Sequence, residues 1–269
     1  FVGQGERSES GYAAAKESAL RTLKAIHGMC EKQSRLVGLA LTPDDAIGLE
    51  KEGRRAAFIG MENGYPIEKT LSNIEEYYKL GVRYVTLCHS ADNDICDSST
   101  DRQDPQDRGL SEFGRQVVAE CNRLGMMVDV SHASDQSFYD VLRVSRAPII
   151  ASHSSCRAIC ASPRNLSDDM IRALARNGGV IQICFLSSYV RTPKPNPERD
   201  RAFEELRVKY GARRAIRDEA IRKKAMEEYE ALNARYPEEK ATVKELVDHI
   251  EHVVKLVGID YVGIGTDFD

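Results

Sequence analysis

The sequence predicts an α/β protein built on a parallel sheet and, within that class, a (β/α)8 barrel of the TIM type. Short apolar, β-branched runs alternate with helical patterns at the length of a βα unit along all 269 residues. Such alternation lays strands side by side in parallel with helices packed outside, and the number of units favours a barrel over an open sheet. Six runs read as convincing strands, ending near Glu62, His89, His132, His153, Phe185 and Asp267. Two of them in succession, 126–130 and 147–151, run into Ser131-His132 and Ser152-His153 before turning polar. A histidine just past a strand end sits at the carboxyl edge, where parallel sheets bind ligands. A closed barrel needs two more strands, expected at or before Phe1, so the first strand or strands are expected to lie outside this chain.

Along the chain, residues 12–32 place Leu20, Leu23, Ile26 and Cys30 at helical spacing, with His27 on the surface or flank. Residues 36–41 form a candidate short strand, and Pro43-Asp44-Asp45 opens a small helix through Lys51. Residues 55–61 read as one strand delivering Glu62. A helix over 70–80 closes at Gly81, and the strand 82–88 delivers His89. Residues 90–109 are polar and Asp-rich without periodicity, long enough for a functional loop. Asp92, Asp94 and Asp97 lack the full calcium-loop pattern and are read as keeping that loop solvated. Ser111 caps a helix through Leu124, with Phe113, Val117, Val118 and Cys121 on one face and Gly125 as its stop.

Ser134 or Asp135 caps the next helix, to Ser145. Ser167-Asp168-Asp169 caps another over 170–176, ended by Asn177-Gly178-Gly179, and 180–185 is a strand. Residues 193–241 are highly charged, weakly apolar and helical in composition, a solvated insertion within a single domain spanning 1–269. In the helix 243–257, Leu246, Ile250, Val253 and Val254 face inward, while His249 and His252 read as surface residues. The last strand, 261–265, delivers Asp267.

A net charge of -4 and a pI near 6.0 give no electrostatic reason to expect nucleic acid or an anionic membrane as partner. No apolar run approaches the ~18–20 residues of a membrane span, so no transmembrane segment is expected. The chain starts at Phe1 without an initiator Met and reads as a piece of a longer protein. Its compartment is left open between cytoplasmic and exported, as a soluble domain. The seven cysteines (30, 88, 96, 121, 156, 160 and 184) are odd in number and lack finger-like pairing, so they read as structural thiols, mostly reduced.

The strand ends carry the chemistry. Glu62, His89, His132, His153 and Asp267 at one rim would cost desolvation unless they pair or bind a cation. Imidazole and carboxylate are the usual ligand set for Zn2+ and similar ions, which points to metal-assisted hydrolysis of a carbonyl or phosphoryl compound. Glu62 suits a terminal ligand or a bridge between two ions, and Asp267 a proton shuttle. Spacing alone does not divide the three histidines between metal and substrate.

GMENG (60–64), VRYVTLCH (82–89), GLSEFGRQVVAECNRLGMMVDVSHAS (109–134), SRAPIIASHSSCRAICASPRNLSDD (145–169) and DYVGIGTDFD (260–269) resemble the membrane dipeptidase (renal dipeptidase) family, and the insertion after Val190 is similar to its bacterial branch. The resemblance covers nearly the whole chain. It implies a metal-dependent (β/α)8 barrel that hydrolyses dipeptides by metal-activated hydroxide at a two-zinc centre. By match of motif, Glu62 bridges the zinc ions, and His132 and His153 bind the second one. His89 binds substrate and oxyanion, and Arg164 grips the substrate carboxylate. Asp267 acts as general acid and base, with Asp269 as the lesser alternate. A homodimer is a further implication.

The sequence departs from the family in two places. The His-x-Asp pair that completes the first zinc site in the family lies upstream of Phe1, and Asn63-Gly64-Tyr65 stands where many relatives carry Gly-Gly-His. Two other readings stand beside the dipeptidase: a related amidohydrolase acting on another small amide or lactone, and a catalytically inactive barrel serving as a binding scaffold.

Overall fold

The computed structural model describes residues 1–101, 106–211, 218–237 and 239–268. Two parallel sheets carry the strands. A small one pairs β1 (Val37–Leu39) with β2 (Arg55–Ala57). The main one has six strands in sequence order, β3 (Ile59–Glu62), β4 (Val82–Thr86), β5 (Met127–Asp129), β6 (Ile150–Ser154), β7 (Val180–Ile183) and β8 (Val262–Ile264), all parallel. Unbroken sequence order is that of a barrel wall, because a doubly wound sheet reverses direction at a switch point. Among the described residues, β3 and β8 form the two edges of this wall. Its strands are the six expected from the sequence.

The helices start and stop where side chains can satisfy their free backbone groups. α1 (Glu9–Lys32) is capped by Ser8. α2 (Pro43–Lys51) opens on a reciprocal Thr42–Asp45 capping box. α3 (Ser72–Lys79) follows, and then α4 (Glu112–Leu124), where Ser111 Oγ accepts from Gly114 N–H and Gly125 turns left-handed (φ 75°). Ser134 caps α5 (Asp135–Val144) and Ser167 caps α6 (Asp168–Arg176). After the single-turn α7 (Ser187–Val190), the charged stretch forms α8 (Pro197–Tyr210) and α9 (Glu219–Arg235). These two helices pack on each other through Phe203 and Tyr229 and through Lys209 and Tyr210 on Glu228. Arg191 and Lys194 tie their base together by pairing with Glu239. α10 (Val243–Val257) opens on a Thr242–Glu245 capping box and lies beside α6 and β8.

The core lies between the helices and the six-stranded wall. Val85, Val128, Ala151 and Ile181 from the strands meet Ile74, Val117, Phe138 and Leu174 from the helices. No described helix is long and apolar enough to cross a membrane.

Three expectations are corrected. Residues 55–61 do not form one strand: the chain leaves β2, passes half-exposed Phe58 and enters β3 in the other sheet. Gly60 is required there, because a Cβ would sit 2.0 Å from the Tyr84 ring. The strand expected over 147–151 is Ile150–Ser154, so His153 lies inside it. Pro148 has no N–H for a ladder, and the N–H of Ile149 goes instead to Asn177 Oδ1 at 2.9 Å. Finally, the aspartates of the 90–109 loop build it as well as solvate it. Asp92 is buried and accepts from Ser98 N–H, while Asp97 accepts from the N–H groups of Arg108 and Gly109.

Candidate metal centre

Four consecutive strands bring the centre together. Glu62 is the last residue of β3, His89 follows β4, His132 follows β5 and His153 lies in β6. Asn63 (φ 78°), His132 (φ 71°) and Asp267 (φ 61°) each hold a left-handed backbone that costs a non-glycine residue ~1–3 kcal/mol unless its surroundings enforce it. Such strain concentrates where side chains must be aimed.

His132 Nε2 lies 3.0 Å and His153 Nε2 3.3 Å from Glu62 Oε1, and the two nitrogens are 2.8 Å apart. Ligand atoms ~2.0–2.1 Å from a tetrahedral ion are roughly 3.3 Å from one another. The three separations lie at or just below that edge length. His89 Nε2 stands 3.8 Å from the same Glu62 oxygen, and ligand atoms of Glu62, His89 and His132 all fall within 4.8 Å of one another. His132 Nδ1, on the other side of its ring, is buried with no partner among the described residues. This donor set fits a divalent cation.

Burial pulls the pKa of His132 down to about 3, against the opposing hydrogen bond to the Glu62 carboxylate, with help from Arg164, His89 and His153 nearby. The imidazole is therefore neutral near pH 7, the form in which it ligates. Burial pushes the Glu62 carboxyl up, but the facing His132 and His153 rings outweigh it and hold Glu62 below the usual carboxylate range.

The remaining expected residues surround this core. His89 stacks on Phe1, with centroids 4.4 Å apart, and its Nδ1 pairs with Ser90 Oγ. Arg164 is buried behind the centre. It donates to the His153 carbonyl at 3.2 Å, stacks on the Tyr189 ring at 5.2 Å and leaves its Nε without a partner. Among the described residues no carboxylate pairs with it. Asp267 lines a cavity of about 470 Å³ shared with Glu62, His153, Ser152, Gln182 and Tyr84. Its Oδ2 lies 3.8 Å from Cys184 Sγ. Asp269 lies outside the described residues.

His249 is not a surface residue: its ring is buried, Nδ1 accepts from Cys156 N–H at 3.0 Å and Nε2 faces the Val190 carbonyl at 2.8 Å. His252 reaches Asp168 on α6, and His27 reaches the Leu80 carbonyl. All seven cysteines are free and buried. The residue that the sequence reading missed is Asp129, fully buried beneath the histidines and hydrogen-bonded to Thr86, Ser131 and Ser152. Its signal was an acidic residue inside an otherwise apolar strand run, Val128-Asp129-Val130.

A profile of the family described as Membrane dipeptidase (Peptidase family M19) matches residues 1–269. The chain is similar to an uncharacterized dipeptidase of Schizosaccharomyces pombe, 34% identical over 228 residues that cover 84% of this chain and 44% of that protein. Dipeptidase verJ of Clonostachys rogersoniana is 33% identical over 252 residues, covering 94% of this chain and 53% of verJ. The chain thus spans about half the length of the curated relatives it matches. The crystal structure of the probable dipeptidase PvdM from Pseudomonas aeruginosa superposes with a TM-score of 0.82 at 34% identity, over 97% of this chain and 70% of that one.

Proposed function

Because the chain belongs to the membrane dipeptidase family, peptidase family M19, we propose that the full-length protein is a zinc-dependent dipeptidase. Residues 1–269 belong to its catalytic barrel domain, and the α8–α9 pair is an insertion on that domain's surface. The observation that carries this reading is the meeting of Glu62 Oε1 with the Nε2 atoms of His132 and His153 within 3.3 Å. Glu62, His132 and His153 would hold the metal, proposed to be two zinc ions. Bound there, such ions polarise a carbonyl and bring the pKa of water to ~7.

The protein's own groups do the rest. His89 Nε2 would donate to the oxyanion that forms as the scissile carbonyl is attacked. Asp267 takes the proton of the attacking water and returns it to the departing amine. Arg164, a buried guanidinium with an unpartnered Nε, holds the substrate's terminal carboxylate, and the Tyr189 ring keeps its plane fixed. The substrates are dipeptides, and a homodimer is the proposed assembly.

Two measurements on the full-length protein test this. Metal analysis is expected to find about two zinc ions per chain; none would leave the scaffold reading. Arg164→Ala is expected to lower kcat/KM on a free dipeptide by roughly 100-fold while changing little on the same dipeptide as its C-terminal amide. Undiminished turnover of the free dipeptide would sink the carboxylate grip and favour an amidohydrolase of another specificity.

A further inference from the structure

We propose that Asp129 is a positioning residue that sets the tautomer of His153 through the hydroxyl of Ser152, an inference that rests on the metal-centre reading above. Asp129 ends β5 and is fully buried. Its Oδ1 accepts the backbone N–H groups of Ser131 and Ser152, each at 2.9 Å. Its Oδ2 accepts the hydroxyls of Thr86 at 2.5 Å and Ser152 at 2.6 Å. A carboxylate has no proton to give, so the single hydroxyl hydrogen of Ser152 goes to Oδ2. With that hydrogen committed, the Ser152 oxygen can only accept from its remaining neighbours, Ser131 Oγ at 3.4 Å and, closer, His153 Nδ1 at 2.8 Å. Nδ1 therefore carries the ring proton, and Nε2 turns a lone pair toward Glu62 and His132. Ligation through Nε2 requires this tautomer, and the groups behind a ligating histidine fix it.

The same carboxylate explains the repeated Ser-His. Ser131 and Ser152 are the serines of the two repeats, and both donate their backbone N–H groups to Asp129. Ser131 Oγ in turn accepts the His153 N–H at 2.9 Å. One buried anion thus aligns the two strand ends that carry His132 and His153.

Asp129→Asn keeps the shape of the side chain but reverses the relay. The two backbone N–H groups hold the amide oxygen on the Oδ1 side, so its NH2 faces Ser152. The Ser152 hydrogen is then driven onto His153 Nδ1, which forces the Nε2–H tautomer. In the full-length protein, zinc affinity measured by competition with a chromophoric chelator is expected to fall about 10- to 100-fold. Adding Ser152→Ala to D129N is expected to recover part of that loss, because no hydroxyl remains to be redirected. A double variant as weak as D129N or weaker marks a merely structural aspartate and overturns the proposal.

Should D129N not fold, nitrogen-15 NMR of the metal-free wild type still decides: Nδ1–H at His153 supports the relay, and Nε2–H overturns it. Wild type that binds no zinc, with Glu62→Gln behaving identically, would instead bring down the metal-centre reading. Tight zinc binding in both wild type and D129N removes only the role of Asp129.

Discussion

His249 and His252 lie on one helix, α10, yet only His249 turns its ring wholly into the protein. Burial lowers the His249 pKa below the ordinary histidine value, and the hydrogen bond to the Val190 carbonyl offsets this in part. The native state therefore resists a proton that the unfolded chain accepts. Stability from this residue is complete above about pH 6.5 and is lost as pH falls from there toward the lowered native value. Urea unfolding at pH 7.5 and 5.5 is expected to show a smaller loss in His249→Gln than in wild type, and equal losses would refute it. Hydropathy patterning scores any histidine as polar, so this burial was not legible, whereas Glu62, His132 and His153 were, because each follows a short apolar run. Gly60 supplies a packing test at the same scale. Gly60→Ala presses a methyl into the Tyr84 ring and is expected to cost about 1–3 kcal/mol in chemical denaturation.

Helix starts were readable because their signals are local. Ser111, Ser134 and Ser167 were named from the sequence, and each accepts a backbone N–H at the head of its helix. Ser111 also donates to the Asp94 carbonyl at 2.6 Å, so it ties α4 to the Asp-rich loop. Ser111→Ala is expected to lower stability by about 1–2 kcal/mol, measured by denaturant midpoint at unchanged slope. Strand limits were less readable because a strand is defined by its neighbours. The start of β6 depends on Asn177 receiving the N–H of Ile149, and the break between β2 and β3 depends on two different sheets. Neither partner is near in sequence. The exposed α8–α9 pair was legible from charge alone, since no apolar stripe asks for burial there.

At the scale of the molecule, the order of the six strands was foreseen, as was the convergence of their ends. The buried aspartate beneath them was not, because its partners Thr86 and Ser152 come from the strands on either side. If the centre binds zinc, the ion stabilises the folded state by mass action, about 2.7 kcal/mol when free zinc is a hundredfold above its dissociation constant. A chelator is therefore expected to lower Tm in wild type, while Glu62→Ala, already without that increment, shifts little in thermal melts. The placement of Glu62, His89, His132 and His153 on four adjacent strands, in chain order, also bears on how the protein is made. A ribosome releases these side chains one after another, each beside the one before, with no distant segment needed to complete the group. All four groups are therefore out of the ribosome once β6 has emerged, while α8 to α10 are still unsynthesised.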